Sequence, residues 1–318
     1  MGGISLHYFD LHCDTMTECF RYNAPLAENS LHVSLKKANA LDSYTQCYAV
    51  WVPDDLRGEK ALQLFRQIAE RLQEEVAQNR NKLSFCRQKG DLANACKEKK
   101  HAAILTVENG AALGGSLENI HLFQELGVKM CALTWNGANE LGRGVLAPGS
   151  QGLTDFGRQV VEGFEQAGIL VDISHASPQL FYDVAAVATK PLVASHSNAQ
   201  AVCSHPRNLT DEQFKVVRDS GGLVGLNFYK AFLHDEPSQA SMEDVLRHTE
   251  HFLALGGEGC LAMGGDWDGA ALPSDMADGL EAIPRLYELF LRHNYKEDLV
   301  ERIFYGNAAH FFQSQDLL

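Results

Sequence analysis

The sequence has no apolar run long enough to cross a membrane, and its first residues do not show the basic region and apolar stretch of a secretory leader. Neither a membrane partner nor export is therefore expected, and the cytoplasm is the expected location. Positive charge is also scarce, because 27 Lys and Arg stand against 41 Asp and Glu and leave a net charge of −14. This acidity argues against nucleic acid as a partner.

Paired cysteines of the C-x-x-C type are absent as well. The eight cysteines are scattered along the chain, and several lie inside apolar runs, as Cys47 does in the segment 46–51. Cysteines in such runs are typical of buried, reduced thiols. We therefore expect no disulfide framework.

No linker or low-complexity stretch divides the 318 residues, so we expect one domain, 1–318. Apolar runs alternate with amphipathic stretches, which predicts an α/β protein, a (β/α)8 or TIM barrel of the metal-dependent hydrolase type. Strands are predicted at 6–13, 44–52, 102–108, 128–135, 169–175, 191–197, 222–228 and 260–266. Helices are predicted at 58–80, 154–167, 177–188, 210–220 and 241–255, with an insertion at 83–99 before the third barrel strand.

The first predicted strand ends on His12 and Asp14, two positions apart. Residues at this spacing on a strand project to the same face, so an imidazole and a carboxylate can reach one metal ion. Four further strand predictions also end on polar or aromatic side chains, at Glu108, Trp135-Asn136, His175 and His196. Because the carboxyl ends of parallel barrel strands build the active site, we expect these side chains to meet there.

Three imidazoles and two carboxylates make up the predicted ligand set: His12, Asp14, Glu108, His175 and His196. Such a set suits Zn²⁺ better than the oxygen-only shells of Ca²⁺ or Mg²⁺. Five ligands exceed the need of one catalytic zinc, but they suit two metals about 3.5–4 Å apart that share a carboxylate and a hydroxide. Glu108 is the predicted bridging carboxylate and counts as a catalytic residue.

Two loops at the same end of the barrel carry further charged side chains. Asp266 and Asp268 close the eighth strand, where an acid can pass a proton from water to a leaving amine, and both are candidates for this role. Arg207 follows the sixth strand, and its guanidinium suits a substrate carboxylate. The Gly- and Pro-rich stretch 137–152 is predicted to cover the mouth as a lid or substrate loop.

These residues resemble the membrane (renal) dipeptidase family, peptidase M19, a branch of the amidohydrolase superfamily with soluble bacterial members. The resemblance extends over nearly the whole chain and is carried by Asp10-x-His12-x-Asp14, Val107-Glu108-Asn109-Gly110, Asp172-Ile-Ser-His175, Ser195-His-Ser197 with Cys203 and Arg207-Asn208, Asn227-Phe-Tyr229, Gly265-Asp-Trp-Asp-Gly269 and Gly306-Asn307. It implies a (β/α)8 barrel, two zinc ions on the five ligands, and hydrolysis of dipeptides, including those with a C-terminal D-residue. By the same matching, Arg207 would hold the substrate carboxylate, Tyr229 would line the pocket and Asp268 would handle the proton.

One position departs from the family pattern. Mammalian members carry a substrate-contacting His at the end of the fourth strand, whereas this chain has Trp135 there. Trp135 cannot act as a base or ligand, but its indole N–H can donate to a substrate oxygen and its ring would narrow the pocket. The sequence therefore resembles a bacterial subgroup in which Trp stands at this position. Hydrolysis is expected to be kept, and the sequence leaves the rate and the substrate range open.

Two other functions compete with a dipeptidase. Another binuclear amidohydrolase, such as a deaminase or lactonase, would share the barrel and metals but lack Arg207. A non-catalytic metal-binding homologue would be expected to have lost at least one of the five ligands. The expected partner is a small-molecule dipeptide, and a homodimer is compatible with the sequence.

Overall fold

The computed structural model describes residues 6–318. In this range nine parallel strands, β1 to β9, span His7–Cys13, Ser43–Trp51, Leu83–Phe85, His101–Glu108, Val128–Ala132, Leu170–Asp172, Val193–Ala194, Leu223–Leu226 and Leu261–Met263. Eight of them close into a barrel in the order β1, β2, β4, β5, β6, β7, β8, β9. Closure comes from the pairing of β1 with β9. The predicted (β/α)8 barrel is confirmed.

Strand β3 belongs to the predicted insertion and is not one of the eight barrel strands. It pairs with the start of β4, where Leu83 is opposite His101 and Phe85 is opposite Ala103. From Leu105 onward β4 pairs with β5 instead. The inserted strand therefore lies at the end of the barrel where the strands begin, away from their carboxyl ends.

Helices surround the barrel. Within the described residues, α1 to α12 span Thr15–Tyr22, Glu59–Gln78, Asp91–Lys97, Asn119–Leu126, Asp155–Ala167, Pro178–Val187, Asp211–Asp219, Lys230–Leu233, Met242–Ala254, Ile283–Arg292, Glu297–Glu301 and Asn307–Ser314. The five predicted helices are confirmed to within two residues at each end. Side-chain caps explain several starts, such as the reciprocal hydrogen bonds of Thr210 and Gln213 at α7.

Several strands are shorter than predicted. The run predicted at 169–175 is a strand only from Leu170 to Asp172, and that at 191–197 only from Val193 to Ala194. The reason is that the chain bends out of the ladder before the ligand positions, as the positive φ of 69° at His175 shows. The apolar pattern continues through these bends because the residues remain buried.

The barrel interior is filled by apolar side chains to which each of the eight barrel strands contributes. They are Phe9, Leu11, Cys47, Ala102, Ile104, Met130, Leu170, Val193, Leu223 and Ala262. Phe312 of α12 stacks on Phe9, with 5.4 Å between the ring centroids. The C-terminal helix therefore closes one end of the barrel and leaves the other end, at the strand carboxyl termini, for a site.

All eight cysteines are free; seven of them are buried, as expected from their apolar surroundings, and Cys96 is exposed. No helix in residues 6–318 has the length and apolar character needed to span a membrane.

Candidate metal centre and active site

The five predicted metal ligands meet at the carboxyl ends of the barrel strands, and all are buried. His12 Nε2 lies 3.6 Å from Asp14 Oδ2 and 3.4 Å from Glu108 Oε2. The other Glu108 oxygen, Oε1, lies 2.7 Å from His175 Nε2 and 3.8 Å from His196 Nε2. Glu108 therefore stands between two groups of ligands, with one oxygen toward each.

A β-bulge places His12 in this cluster. Between Asp10 and Cys13, β1 advances three residues while β2 advances two, from Gln46 to Tyr48. Bulges re-aim side chains next to active sites. Here the bulge lets His12 reach the barrel mouth directly after Leu11, which fills the barrel interior.

Hydrogen bonds fix the rings of the two histidines contributed by the later strands. His175 Nδ1 donates to Asn136 Oδ1 at 2.9 Å. His196 Nδ1 donates to Ser195 Oγ at 2.7 Å, and that hydroxyl in turn donates to Asp172. With Nδ1 as the donor in both rings, each Nε2 carries a lone pair toward the cluster.

The donor set fits cations. The two lone-pair Nε2 atoms of His175 and His196 lie 2.9 Å apart, an arrangement that a cation between them would stabilise. His12 Nε2 and Asp14 Oδ1 are buried and have no hydrogen-bond partner among residues 6–318. His12, Glu108 and His196 form one potential metal group, and His12, Asp14 and Asp266 form a second.

The pKa shifts of the buried side chains also favour a cation at this position. Burial, followed by repulsion from Asp14, raises the pKa of Glu108 to about 7. Burial lowers the pKa of His12, but attraction from Glu108 and Asp14 outweighs it and holds that pKa well above the ordinary value. Burial lowers the pKa values of His175 and His196. The buried carboxylates thus attract positive charge, while two of the imidazoles remain neutral donors.

Asp10, which was not predicted as a site residue, connects the first and last barrel strands beneath the ligands. Its buried carboxylate accepts hydrogen bonds from His12 N at 2.9 Å, Gly265 N at 3.0 Å and Trp267 Nε1 at 2.9 Å. Tyr8 also donates to it, at 2.5 Å. Asp10 therefore positions both the His12 backbone and the segment that carries Asp266. The Asp-x-His-x-Asp pattern contained this residue, but no spacing rule distinguished it from a ligand.

Four of the eight non-glycine residues with positive φ in the described structure lie at the same place. Asn109, His175, Asp266 and Asp268 all have positive φ, between 57° and 86°. Such values are uncommon for residues with a Cβ and gather at functional sites. Each of the four follows the end of a barrel strand. The turns that present the polar side chains therefore have a backbone conformation of raised energy.

The two carboxylates after β9 have different surroundings. Asp266 is buried, its Oδ1 lies 3.9 Å from His12 Nε2, and Asn227 Nδ2 donates to its Oδ2 at 3.0 Å. Burial raises the pKa of Asp266, although His12 opposes the shift. Asp268 Oδ2 accepts from Thr15 Oγ1 and its Oδ1 from the backbone N–H of His32, both at 2.6 Å. The contacts thus place Asp266 beside the ligands and engage Asp268 with α1 and the loop that follows it.

A cavity of about 580 Å³ opens above the cluster, and the three predicted substrate-binding residues, Arg207, Tyr229 and Trp135, line it. Arg207 is buried, its Nη2 donates to His196 O at 3.2 Å, and its guanidinium carbon lies 5.3 Å from the Phe232 ring centre. Its Nε has no partner in the described structure. Burial lowers the pKa of Arg207 to about 10, which leaves it a cation at neutral pH. This buried donor group suits an anionic part of a ligand.

Trp135 stands across the mouth as part of an aromatic wall. Its ring meets that of Trp51 edge to face, with 5.0 Å between centroids, and its centroid lies 6.4 Å from that of His175. The loop predicted to cover the mouth reaches the site here, since Val145 N donates to His175 O at 2.8 Å and Leu146 lines the cavity.

We expect Gly269→Ala to weaken metal binding. A Cβ at this position would lie 1.9 Å from Asp14 Oδ2 and 2.7 Å from Asp266 Oδ1, so the Asp14 carboxylate would have to move. By analogy with the loss of groups that orient metal ligands, at least about tenfold weaker affinity is expected, measured by competition with a chelator. The matched control is Gly259→Ala, where an added Cβ meets nothing within 4 Å. Equal affinities for the two variants would show that the Asp14 carboxylate holds no metal.

A family model described as membrane dipeptidase (peptidase family M19) matches residues 5–317. Among curated proteins, an uncharacterised protein in the pqqA 5′ region of Klebsiella pneumoniae is 33% identical over 253 residues, which cover 77% of this chain and 93% of that protein.

Two solved structures superpose on 98% of this chain and 99% of their own, each with a TM-score of 0.91. One is dipeptidase AC, a metallopeptidase of family M19, which is 29% identical to this chain. The other is a metallopeptidase from Rhodobacter sphaeroides, 28% identical, bound to a phosphinate mimic of the dipeptide L-Ala-D-Ala.

Proposed function

Because this chain belongs to the membrane dipeptidase family, peptidase family M19, and is a metal-dependent dipeptide hydrolase, we propose that it works with two zinc ions and accepts dipeptides with a D-residue at the C-terminal position. The observation that carries the two-metal proposal is the position of Glu108, whose two carboxylate oxygens face His12 on one side and His175 on the other. A single bridging carboxylate between two ligand groups is typical of binuclear hydrolases.

Two zinc sites follow from this arrangement. His12 and Asp14 would hold one ion, His175 and His196 the other, and Glu108 both. The imidazole-rich donor set favours zinc over Mg²⁺ or Ca²⁺. When bound, the ions would supply an activated water and a polarised substrate carbonyl. We also propose that residues 1–318 act as the single domain predicted from the sequence.

Arg207 would bind the free C-terminal carboxylate of the dipeptide. It is buried beside the end of β7, the strand that His196 follows, and it lines the cavity. Its Nε has no hydrogen-bond partner among the described residues. Tyr229 lines the same side, and Trp135 and Trp51 stand on another. The L-Ala-D-Ala mimic bound by the Rhodobacter sphaeroides relative supports a substrate of this size and stereochemistry.

We propose Asp266 as the group that moves the proton. Its Oδ1 lies 3.9 Å from His12 Nε2, and its Oδ2 is held by Asn227, so Oδ1 is directed to the ligand cluster. Oδ1 would take a proton from the attacking water and deliver it to the leaving nitrogen. Asp268, the residue predicted from the sequence, stays the alternative, and its two oxygens already accept hydrogen bonds from Thr15 and His32.

The proposal is tested by measuring bound metal and hydrolysis of matched L,L- and L,D-dipeptides with the purified chain. Two zinc ions per active chain and turnover of L,D-dipeptides are expected. Full activity with one metal would overturn the binuclear site, and hydrolysis of L,L-dipeptides alone would overturn the stereochemical proposal.

Arg207→Ala should raise KM by at least about tenfold for a dipeptide with a free carboxylate, because a charge-assisted hydrogen bond is worth about 1.5–3 kcal/mol. The same dipeptide amidated at its C-terminus lacks the anion, so its KM should change little. The ratio of the two KM values is therefore the measurement. Equal losses on both substrates would assign Arg207 a structural role through its hydrogen bond to His196 O.

A further inference from the structure

Helix α1 presents a row of polar side chains to the cavity beyond the metal ligands. The helix starts directly after Asp14, and Thr17, Glu18 and Arg21 follow it at the three- and four-residue spacing that places side chains on one helix face. All four side chains line the cavity. The row leads outward from the ligand Asp14 to the half-exposed side chain of Arg21.

Arg21 is held in place at the rim. Its Nη1 donates to Glu18 Oε1 at 2.6 Å, and its guanidinium carbon lies 5.9 Å from the centre of the Trp51 ring. Trp51 is itself tied to α1, because its backbone N–H donates to Thr17 Oγ1 at 3.2 Å. The guanidinium therefore rests on an aromatic wall whose position is fixed by the same helix.

Part of this guanidinium is available to a ligand. Arg has five N–H donors arranged as a planar fork. Within residues 6–318 the only hydrogen bond from the Arg21 side chain is that from Nη1 to Glu18. The edge formed by Nε and Nη2 can therefore bind a second carboxylate through two parallel hydrogen bonds.

The barrel order places Arg21 opposite Arg207. Trp51 ends β2, and Arg207 follows β7; these strands are four apart in the ring of eight and so face each other across the mouth. A dipeptide with its C-terminal carboxylate on Arg207 and its peptide bond over the ligands would extend its N-terminal residue toward Trp51 and α1. The side chain of that residue would reach Arg21.

We propose that Arg21 is a specificity-determining residue, which binds the side-chain carboxylate of an acidic N-terminal residue. Dipeptides that begin with Glu or Asp are then hydrolysed faster than those that begin with the uncharged amides Gln or Asn. The inference rests on the proposed dipeptidase function and deepens it. Glu18 limits the preference, because it neutralises part of the Arg21 charge.

The test compares kcat/KM for Glu-Ala and Gln-Ala, with the C-terminal Ala in whichever configuration the zinc-loaded enzyme hydrolyses faster. The wild-type ratio of Glu-Ala to Gln-Ala should be at least about fivefold, the scale of a partly exposed ion pair. Arg21→Gln should lower the ratio to about one or below, since Glu18 would then repel an acidic side chain. Glu18→Gln should raise the ratio, because Arg21 loses its internal counter-charge.

The matched control is Arg247→Gln. Arg247 on α9 makes a similar pair three residues along a helix, with Nη1 2.7 Å from Asp244 Oδ1 and a similarly exposed side chain, but it does not line the cavity. Its removal should leave the ratio unchanged. The inference would be overturned, and the proposed function kept, if Arg21→Gln left the ratio of Glu-Ala to Gln-Ala unchanged or if Glu18→Gln lowered that ratio. Failure of the zinc-loaded enzyme to hydrolyse any dipeptide would overturn the proposed function as well.

Discussion

Glu108→Gln should reduce kcat/KM by at least about three orders of magnitude and lower the metal content to one ion per chain or none. Gln keeps the volume of Glu but is neutral and offers one carbonyl oxygen in place of two carboxylate oxygens. The groups centred on His12 and His175 would lose the anion they share. The loss is large because metal ions in such sites contribute several kcal/mol, and each 1.36 kcal/mol is a tenfold change in rate.

Elemental analysis of the purified variant, together with its kcat/KM, checks this result. Glu75→Gln is the matched control, since Glu75 is equally buried but lies on α2 and accepts from Leu26 N and Arg71. That variant should lose stability and keep its metals once folded. A Glu108→Gln enzyme that retained two metals would show that another group bridges them.

Asp266→Asn should lower kcat by at least about two orders of magnitude, the usual scale of general acid–base catalysis. Asn has nearly the same shape, and its amide oxygen can still accept the hydrogen bond from Asn227 Nδ2, so substrate binding should change little. The variant would lack the carboxylate that accepts the proton of the attacking water. Steady-state kinetics with a metal assay on the same sample measures both properties.

Asp268→Asn is the companion variant that decides between the two carboxylates. Its hydrogen bonds to Thr15 and His32 stabilise the loop, so we expect a lower thermal midpoint and a smaller loss of kcat than for Asp266→Asn. If Asp268→Asn shows the larger fall in kcat with both metals retained, the proton carrier is Asp268, as first predicted from the sequence. If Asp266→Asn loses a metal, Asp266 is a ligand.

The barrel could be predicted from the sequence because buried parallel strands are apolar on both faces and the helices between them carry regular caps. Thr210 at α7 and Ser241 at α9 begin helices with capping boxes that are visible in the sequence. The ligands could be proposed because His and acidic residues at successive strand ends have few structural reasons to be there.

The remaining site residues could not be predicted because they depend on distances between loops that are remote in sequence. Asp266 and Asp268 share one segment and one residue type, and only their partners, Asn227 and Thr15, distinguish them. Asn136 orients His175 from a loop 39 positions earlier. Arg21 lies on a short helix that was not predicted, so its place in the cavity had no signal in the sequence.

The Asp10 contacts have a consequence for the time course of synthesis. Asp10 is synthesised well before its partner Gly265, which follows 255 residues later. At about 5–20 residues per second, the first strand waits between about 13 and 50 s for the strand that closes the barrel. Throughout that interval the proposed ligands His12 and Asp14 lack the rest of the site, and contacts of such long range also slow folding. Metal captured then would be held by only part of the site, so the supply of metal is most useful after the last strand has docked.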